Sequence, residues 1–280
     1  MSREEVISII KSNSILPDSK FGQNFLCDDS VIEDIIEISG ACPNSNVLEI
    51  GPGIGALTRQ LCLMNKNNNS DMRIYSVEID KRLASFLQDD EEISQYSKVI
   101  CSDFLKLPQD LIDCSIDYIL SNIPYYVMTS IIKKLIIDYP ESKQMTLMIE
   151  DDAFARVDAK PSTKQYGPLS VFCSNYGIVR KEFVVDSSRF YPAPHTTSCV
   201  ITLKKRIDSR IISPDYYDFV EAAFSKRRKT LQNSLNEYFA RKTPSVSLSD
   251  ALLALELDGR VRSEAVSPEQ FVFLFCMLYQ

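Results

Sequence analysis

Residues 46–55 read Asn-Val-Leu-Glu-Ile-Gly-Pro-Gly-Ile-Gly, a short apolar run that ends in a cluster of three glycines. The run over 46–50 is rich in Val, Leu and Ile, as a buried strand should be. Residues 56–64 carry apolar side chains at three- and four-residue spacing, so a helix follows at once. Glycines between a strand and a helix let the backbone approach a ligand closely and leave free amides at the helix N-terminus facing it. Gly51, Gly53 and Gly55 are three of only eight glycines in the chain, so the loop reads as a ligand cradle rather than a plain tight turn. The G-x-G-x-G spacing, with Glu49 just before it, departs from the G-x-G-x-x-G of dinucleotide sites and disfavours NAD.

Outward from this loop, 73–78, 97–101 and 116–120 read as further strands, and 30–38, 81–88 and 127–138 as helices. Such alternation builds a parallel sheet with helices on both faces, an α/β fold. Later strands are expected at 145–149, 179–185 and 199–203, and Asn65 to Ser70 as a surface loop. From 207 onward the β runs stop, and helical periodicity appears at 215–224, 227–239, 248–256 and 268–278. A cofactor-binding and catalytic domain is therefore expected over 1–206 and a small all-helical domain over 207–280, joined near 204–212.

Composition narrows the class. At 45% hydrophobic and 25% charged, 280 residues can fill a real core, which excludes disorder and collagen-like repeats. No run of eighteen apolar residues occurs, and Ser2-Arg3-Glu4-Glu5 is unlike a signal segment, so no membrane association and a cytoplasmic location are expected. Eight scattered cysteines without C-x-x-C spacing read as reduced thiols. One histidine, His195, leaves little material for a zinc site or a His-dependent triad, and no metal is expected. The net charge of −7 is uneven: residues 1–203 hold 19 Lys and Arg against 28 Asp and Glu, and 204–280 hold 12 against 10. Lys204-Lys205-Arg206 and Lys226-Arg227-Arg228-Lys229 are the dense basic clusters, the expected places for any polyanion contact.

The strand over 73–78 ends in Glu78, where a carboxylate can accept both ribose hydroxyls of an adenosine-containing cofactor. Glycine loop and Glu78 together resemble the S-adenosylmethionine-dependent methyltransferases. Asp103, after the third strand, stands where such enzymes place an acid near the cofactor's adenine amine; it could equally cap a turn. The fourth strand leads into Asn122-Ile123-Pro124-Tyr125-Tyr126. Methylating an adenine amine is difficult because its lone pair is delocalised into the ring, so acceptors must engage the amine and let it pyramidalise. An Asn122 oxygen and the carbonyl before Pro124 can do this, and Tyr125 offers a stacking face for an extruded base.

Six motifs in order make the likeness specific: Phe21 to Leu26, LEIGPGIGALT at 48–58, NIPYY at 122–126, YGPLSV at 166–171, FYPAP at 190–194 and FSKRRKTLQNSL at 224–235. Together they resemble the small-subunit rRNA adenine dimethyltransferases of the KsgA type. The resemblance implies a Rossmann-like class I methyltransferase sheet with a helical C-terminal domain. It implies S-adenosylmethionine as cofactor and dimethylation of adjacent adenines near the 3′ end of 16S rRNA during ribosome biogenesis. The partner implied is small-subunit rRNA or the pre-ribosomal small subunit, and a monomer is expected. By the same likeness Asn24 and Leu26 close over the methionine end of the cofactor, which Gly51 and Gly53 line. Glu78 holds the ribose, Asp103 meets the adenine amine, and Asn122, which also borders the cofactor, holds the target base with Pro124 and Tyr125. Phe190 is implied as the second face of the base sandwich, and Lys226, Arg227, Arg228 and Lys229 as phosphate contacts. The bulk of Tyr126 is expected to alter the target pocket. Glu150-Asp151-Asp152 and His195 are expected to weaken RNA engagement by removing positive charge. Two alternatives stand beside this reading: a macrolide-resistance type methylase of large-subunit rRNA, and a small-subunit assembly factor without turnover.

Overall fold

The computed structural model describes residues 1–206 and 213–279; the expected start of the helical domain, 207–212, lies outside the described residues. Its strands are β1 (Phe25–Leu26), β2 (Asn46–Ile50), β3 (Arg73–Glu78), β4 (Ser97–Cys101), β5 (Tyr118–Asn122), β6 (Gln144–Glu150), β7 (Gly177–Val185), β8 (Phe190–Tyr191) and β9 (Ser198–Lys205). Seven of them form one sheet in the order β4-β3-β2-β5-β6-β9-β7. The pairs from β4 to β6 are parallel, and β9 runs antiparallel to β6. Chain order reverses between β2 and β5, which opens a crevice at the carboxyl ends of these two strands. The glycine loop leaves β2 there, and Asn122 ends β5 there.

β2, β3 and β4 begin and end where the sequence places them; β2 and β3 are buried along nearly their whole length, as inner strands of a parallel sheet are, and β4 is the partly exposed edge. β5 lies two residues later than its apolar run over 116–120. The Asp117 carboxylate accepts the Asn46 N–H (2.9 Å), and the ladder opens only at Val47 opposite Tyr118. That register carries Asn122 into the sheet, opposite Met148. The expected loop over Asn65 to Ser70 is also corrected: helix Ala56–Asn68 continues through most of it. Asn65 is buried, donates to the Met72 carbonyl (2.9 Å) and accepts from Ser70 (2.6 Å), so a polar run is tied down by its own amides.

By packing, the chain forms two compact units, Met1–Phe154 with Arg180–Lys205, and Ala155–Val179 with Arg206–Gln280. A single boundary at 206/207 is thus not what the chain shows, because 155–179 belongs with the C-terminal helices. Helix Pro168–Tyr176 is the reason: it is buried along nearly its whole length. Phe172 packs on Tyr217 with ring centroids 3.9 Å apart, and the Tyr166 hydroxyl donates to the Val266 carbonyl (2.7 Å). The core of this second unit is aromatic, with Phe219 between Tyr238, Phe271 and Phe275. No helix among the described residues is long and apolar enough to cross a membrane.

Gly55 fixes the turn into helix Ala56–Asn68. Its φ is +85°, and a Cβ there would lie 2.8 Å from Leu87 Cδ2 and 3.1 Å from Ile93 Cδ1, both on fully buried side chains. Gly55→Ala is expected to lower unfolding stability by about 2–4 kcal/mol, combining left-handed strain with overpacking. Urea titration of the free protein measures this, and an unchanged midpoint contradicts it.

Candidate active site

The glycine loop is shaped by its neighbours on β3. Gly51 donates to the Val77 carbonyl (2.9 Å), and Gly53, at φ +62°, donates to Glu78 Oε2 (3.0 Å). A Cβ on Gly53 would sit 3.1 Å from the Phe25 ring, so the cradle accepts only glycine at this point. Glu78 also accepts the Asp80 N–H through Oε1 (2.9 Å). Burial, the dominant cause, lifts its carboxyl to about 7 against the pull of these amide donors. Glu49 stands beside it on β2, wholly buried and likewise raised to about 7 by burial, while the Thr58 hydroxyl (2.6 Å) stabilises its charged form.

Around these acids lies a cavity whose walls include Asn24, Leu26, Gly51, Gly53, Glu78 and Asn122. A second pocket is lined by Asn122, Pro124, Tyr125, Tyr126 and Phe190. Gly22, Asn24, Asn122 and Pro124 belong to both walls, so the two spaces adjoin at Asn122. Asn122 Nδ2 donates to the Asn24 carbonyl (3.3 Å). With the amide nitrogen committed to a carbonyl, the side-chain oxygen is fixed as the acceptor atom. The Tyr125 ring is anchored by its hydroxyl on Ser198 (2.7 Å), and burial raises its pKa. Phe190 is fully buried and belongs both to the core and to the pocket wall. It is held there by the β1–β8 pairing, in which it faces Leu26.

Tyr126, expected to alter the target pocket, is one of its lining residues. It is 64% exposed and stands at the rim, above Gly22. Asp103 is not among the residues lining either space. It caps the turn Phe104–Lys106, accepting the Leu105 N–H (3.0 Å) and pairing with Lys106 at 3.6 Å. The acidic stretch after β6 is offset locally, since Lys181 on β7 pairs with Asp151 at 2.5 Å. Lys226 to Lys229 form a turn, not the start of a helix, which begins at Leu231 behind the Thr230 cap. Lys226 is paired with Glu237 (2.7 Å), and Arg227 donates to the Lys164 carbonyl (2.6 Å). Arg228 and Lys229 are exposed beside them.

A polar latch on the cofactor side escaped sequence reasoning. Gln23 accepts from the Asp18 backbone (2.8 Å) and donates to Asp80 Oδ2 (2.8 Å). Asp80 is chelated by Arg82, which also donates to the Leu16 carbonyl (3.2 Å). The segment before β1 is thereby tied to the end of β3, beside Glu78. These partners are up to 66 residues apart, and only the fold brings them together.

The family model described as ribosomal RNA adenine dimethylase matches residues 17–275. The chain belongs to the ribosomal RNA adenine dimethylase family. It is 34% identical to the ribosomal RNA small subunit methyltransferase A of Shouchella clausii, with 97% of this chain and 93% of that protein covered. Among solved structures, a dimethyladenosine transferase from Plasmodium falciparum superposes with a TM-score of 0.70 at 22% identity, covering 90% of this chain and 96% of that one. The 23S rRNA methyltransferase ErmE gives 0.61 at 28% identity, over 92% and 100%. For this member of the family, the Rossmann-like methyltransferase sheet that the resemblance implied is the fold found.

Proposed function

We propose that this chain uses S-adenosylmethionine to dimethylate the exocyclic amines of adjacent adenines near the 3′ end of small-subunit rRNA during ribosome biogenesis. The observation that carries the reading is the junction of cavity and pocket at Asn122. The 34% identity to a small-subunit methyltransferase over 97% of the chain favours the small-subunit target. A cytoplasmic, monomeric enzyme belongs to the same reading.

The residues present fit the cofactor. Gly51 and Gly53 bring bare backbone to the cavity wall, and Glu78 brings a buried carboxylate to it where two ribose hydroxyls can donate. Gly51 and Gly53 would hold the cofactor's middle, with Asn24 and Leu26 over its methionine end. When bound, S-adenosylmethionine supplies an electrophilic methyl on a sulfonium sulfur. Asn122 Oδ1 and the Ile123 carbonyl accept the two amine hydrogens of the adenine. The Pro124 carbonyl is already used by the Val127 N–H (3.1 Å). Tyr125 and Phe190 hold the base, and the nitrogen lone pair turns toward the cofactor side. The charged product amine then releases its proton to solvent, with no general base required.

RNA affinity comes from exposed cations on the second unit. Since Lys226 and Arg227 are held by protein partners, Arg228 and Lys229 are the more available members of the predicted quartet. Replacing both with alanine is expected to weaken rRNA binding equally for all sequences and to reduce the salt slope by about 2. Filter binding over a salt series reads this, and an unchanged slope returns the turn to a plain solvated surface.

The function itself is tested by methyl transfer from labelled S-adenosylmethionine to unmodified small subunits, large subunits and free rRNA, with mapping of the modified base. Dimethylated adenines in the small subunit support the reading. Label in large-subunit RNA, or cofactor binding without transfer, contradicts it in favour of a resistance-type methylase or an assembly factor respectively.

A further inference from the structure

Tyr126 is the feature of the pocket that the reaction above leaves without a task. It follows Tyr125 directly in the turn Tyr125–Val127, yet the two rings have opposite environments. Tyr125 is tied inward to Ser198, whereas Tyr126 is 64% exposed, among the most exposed large apolar side chains of the described residues. Its ring is also seated. Cε1 lies 3.7 Å from where a Gly22 Cβ would stand, and Pro124 Cβ lies 3.4 Å from the same point. Gly22 has φ +62°, a left-handed conformation that favours glycine, and this turn of the backbone lies in van der Waals reach of the tyrosine ring. An exposed aromatic ring at the lip of a base pocket, backed by a glycine and a proline, has the form of a stacking platform for single-stranded nucleic acid.

We propose that Tyr126 stacks the nucleotide next to the target adenine in the same strand, forming a second base subsite outside the acceptor pocket. The proposal rests on the functional reading above and extends it. Extruding one adenine from its stack leaves the neighbouring base with an uncovered face. Consecutive nucleotides are joined by one phosphodiester, and Tyr125 and Tyr126 are joined by one peptide bond, so a base on the inner ring brings its neighbour to the outer one. For a substrate with two adjacent adenines, the outer site holds the second adenine while the first reacts. Tyr126 is therefore a positioning residue for the pair, whose effect falls on substrate binding and on the distribution between the two adenines.

The test uses the full chain with a single-stranded RNA oligonucleotide carrying 2-aminopurine beside the target adenine, a base analogue whose fluorescence is quenched by stacking. Quenching is expected with the wild type and with Tyr126→Phe and Tyr126→Trp, and not with Tyr126→Ala. In methyl transfer to unmodified small subunits, Tyr126→Ala should raise KM for the particle by roughly five- to a hundredfold. It should also leave more product with only one adenine modified, while cofactor affinity stays unchanged. A reporter that stays bright on the wild type, or is quenched equally on Tyr126→Ala, overturns the stacking site. Quenching without methyl transfer by the wild type supports the stacking site and overturns the reaction assigned above.

Discussion

Asn122→Ala is expected to lower kcat for methyl transfer by about 10²–10³-fold, the usual cost of removing one preorganised group aimed at charge that develops in a transition state. The cofactor dissociation constant should stay within about threefold of the wild type, because the glycine loop and Glu78 are untouched and Asn122 contributes one wall residue among many. The effect belongs on kcat because the side-chain oxygen is preset. β5 ends at Asn122, opposite Met148, and Nδ2 is fixed on the Asn24 carbonyl at 3.3 Å. The amine of a bound adenine thus meets an acceptor that needs no reorganisation. Asn122→Asp separates orientation from acceptance: it keeps an acceptor oxygen but loses the donor to Asn24 and places negative charge against that carbonyl. Activity is expected to fall in both variants. Single-turnover transfer with saturating cofactor, alongside calorimetric cofactor binding, checks the division. If Asn122→Ala loses cofactor binding in proportion to activity, Asn122 belongs to the cofactor site and the acceptor role is wrong.

The central sheet was legible because short segments rich in Val, Ile, Leu and Tyr mark its strands, and β2, β3 and β4 fall on 46–50, 73–78 and 97–101 residue for residue. β5 was misplaced by two residues because its start depends on Asp117 and Asn46, which are 71 positions apart. The same limit hid helix Pro168–Tyr176, whose all-round burial gives no amphipathic stripe to read. It also put the basic run on a helix that in fact begins after Thr230.

Within the site, the glycine loop and the end of β3 pointed to Gly51, Gly53 and Glu78, the NIPYY stretch to Asn122, Pro124 and Tyr125, and the family resemblance to Asn24, Leu26 and Phe190; all of them line one or both spaces. Asp103 shows the weakness of a lone acid after a strand. The position can cap a turn or face a ligand, and here its hydrogen bond and ion pair stay within its own turn. The Gln23–Asp80–Arg82 latch and the outward turn of Tyr126 had no sequence signal. The first is a long-range polar contact, and the second depends on which of two adjacent tyrosines finds Ser198.

Glu78→Gln is expected to weaken S-adenosylmethionine binding by about 10²-fold at pH 8 and to remove most of its pH dependence. Glu78 has both oxygens engaged by the amides of Gly53 and Asp80, and its burial lifts the carboxyl to about 7. In the unfolded chain the ordinary value is 4.5. The folded protein therefore binds the extra proton between these values. Its stability falls as pH rises from about 4.5 to 7, and above 7 the buried charge is retained at full cost. Ribose hydroxyls reverse that cost, because two donors to a carboxylate favour its charged form. Cofactor binding should accordingly release protons near pH 7 and weaken as pH falls through that value. Glu49, also raised to about 7 beside it, faces no donor from the ribose in this reading, and a charged Glu78 raises it further, so the release comes from Glu78. Glutamine keeps the shape but offers one acceptor oxygen where the carboxylate offers two, so either Gly53 or Asp80 loses its partner and the ribose loses a charge-assisted bond. Calorimetric titration of wild type and variant with cofactor at pH 6, 7 and 8 gives both the affinity and the proton release. A wild-type affinity flat across that range, or a variant as tight as the wild type at pH 8, places the ribose somewhere other than on Glu78.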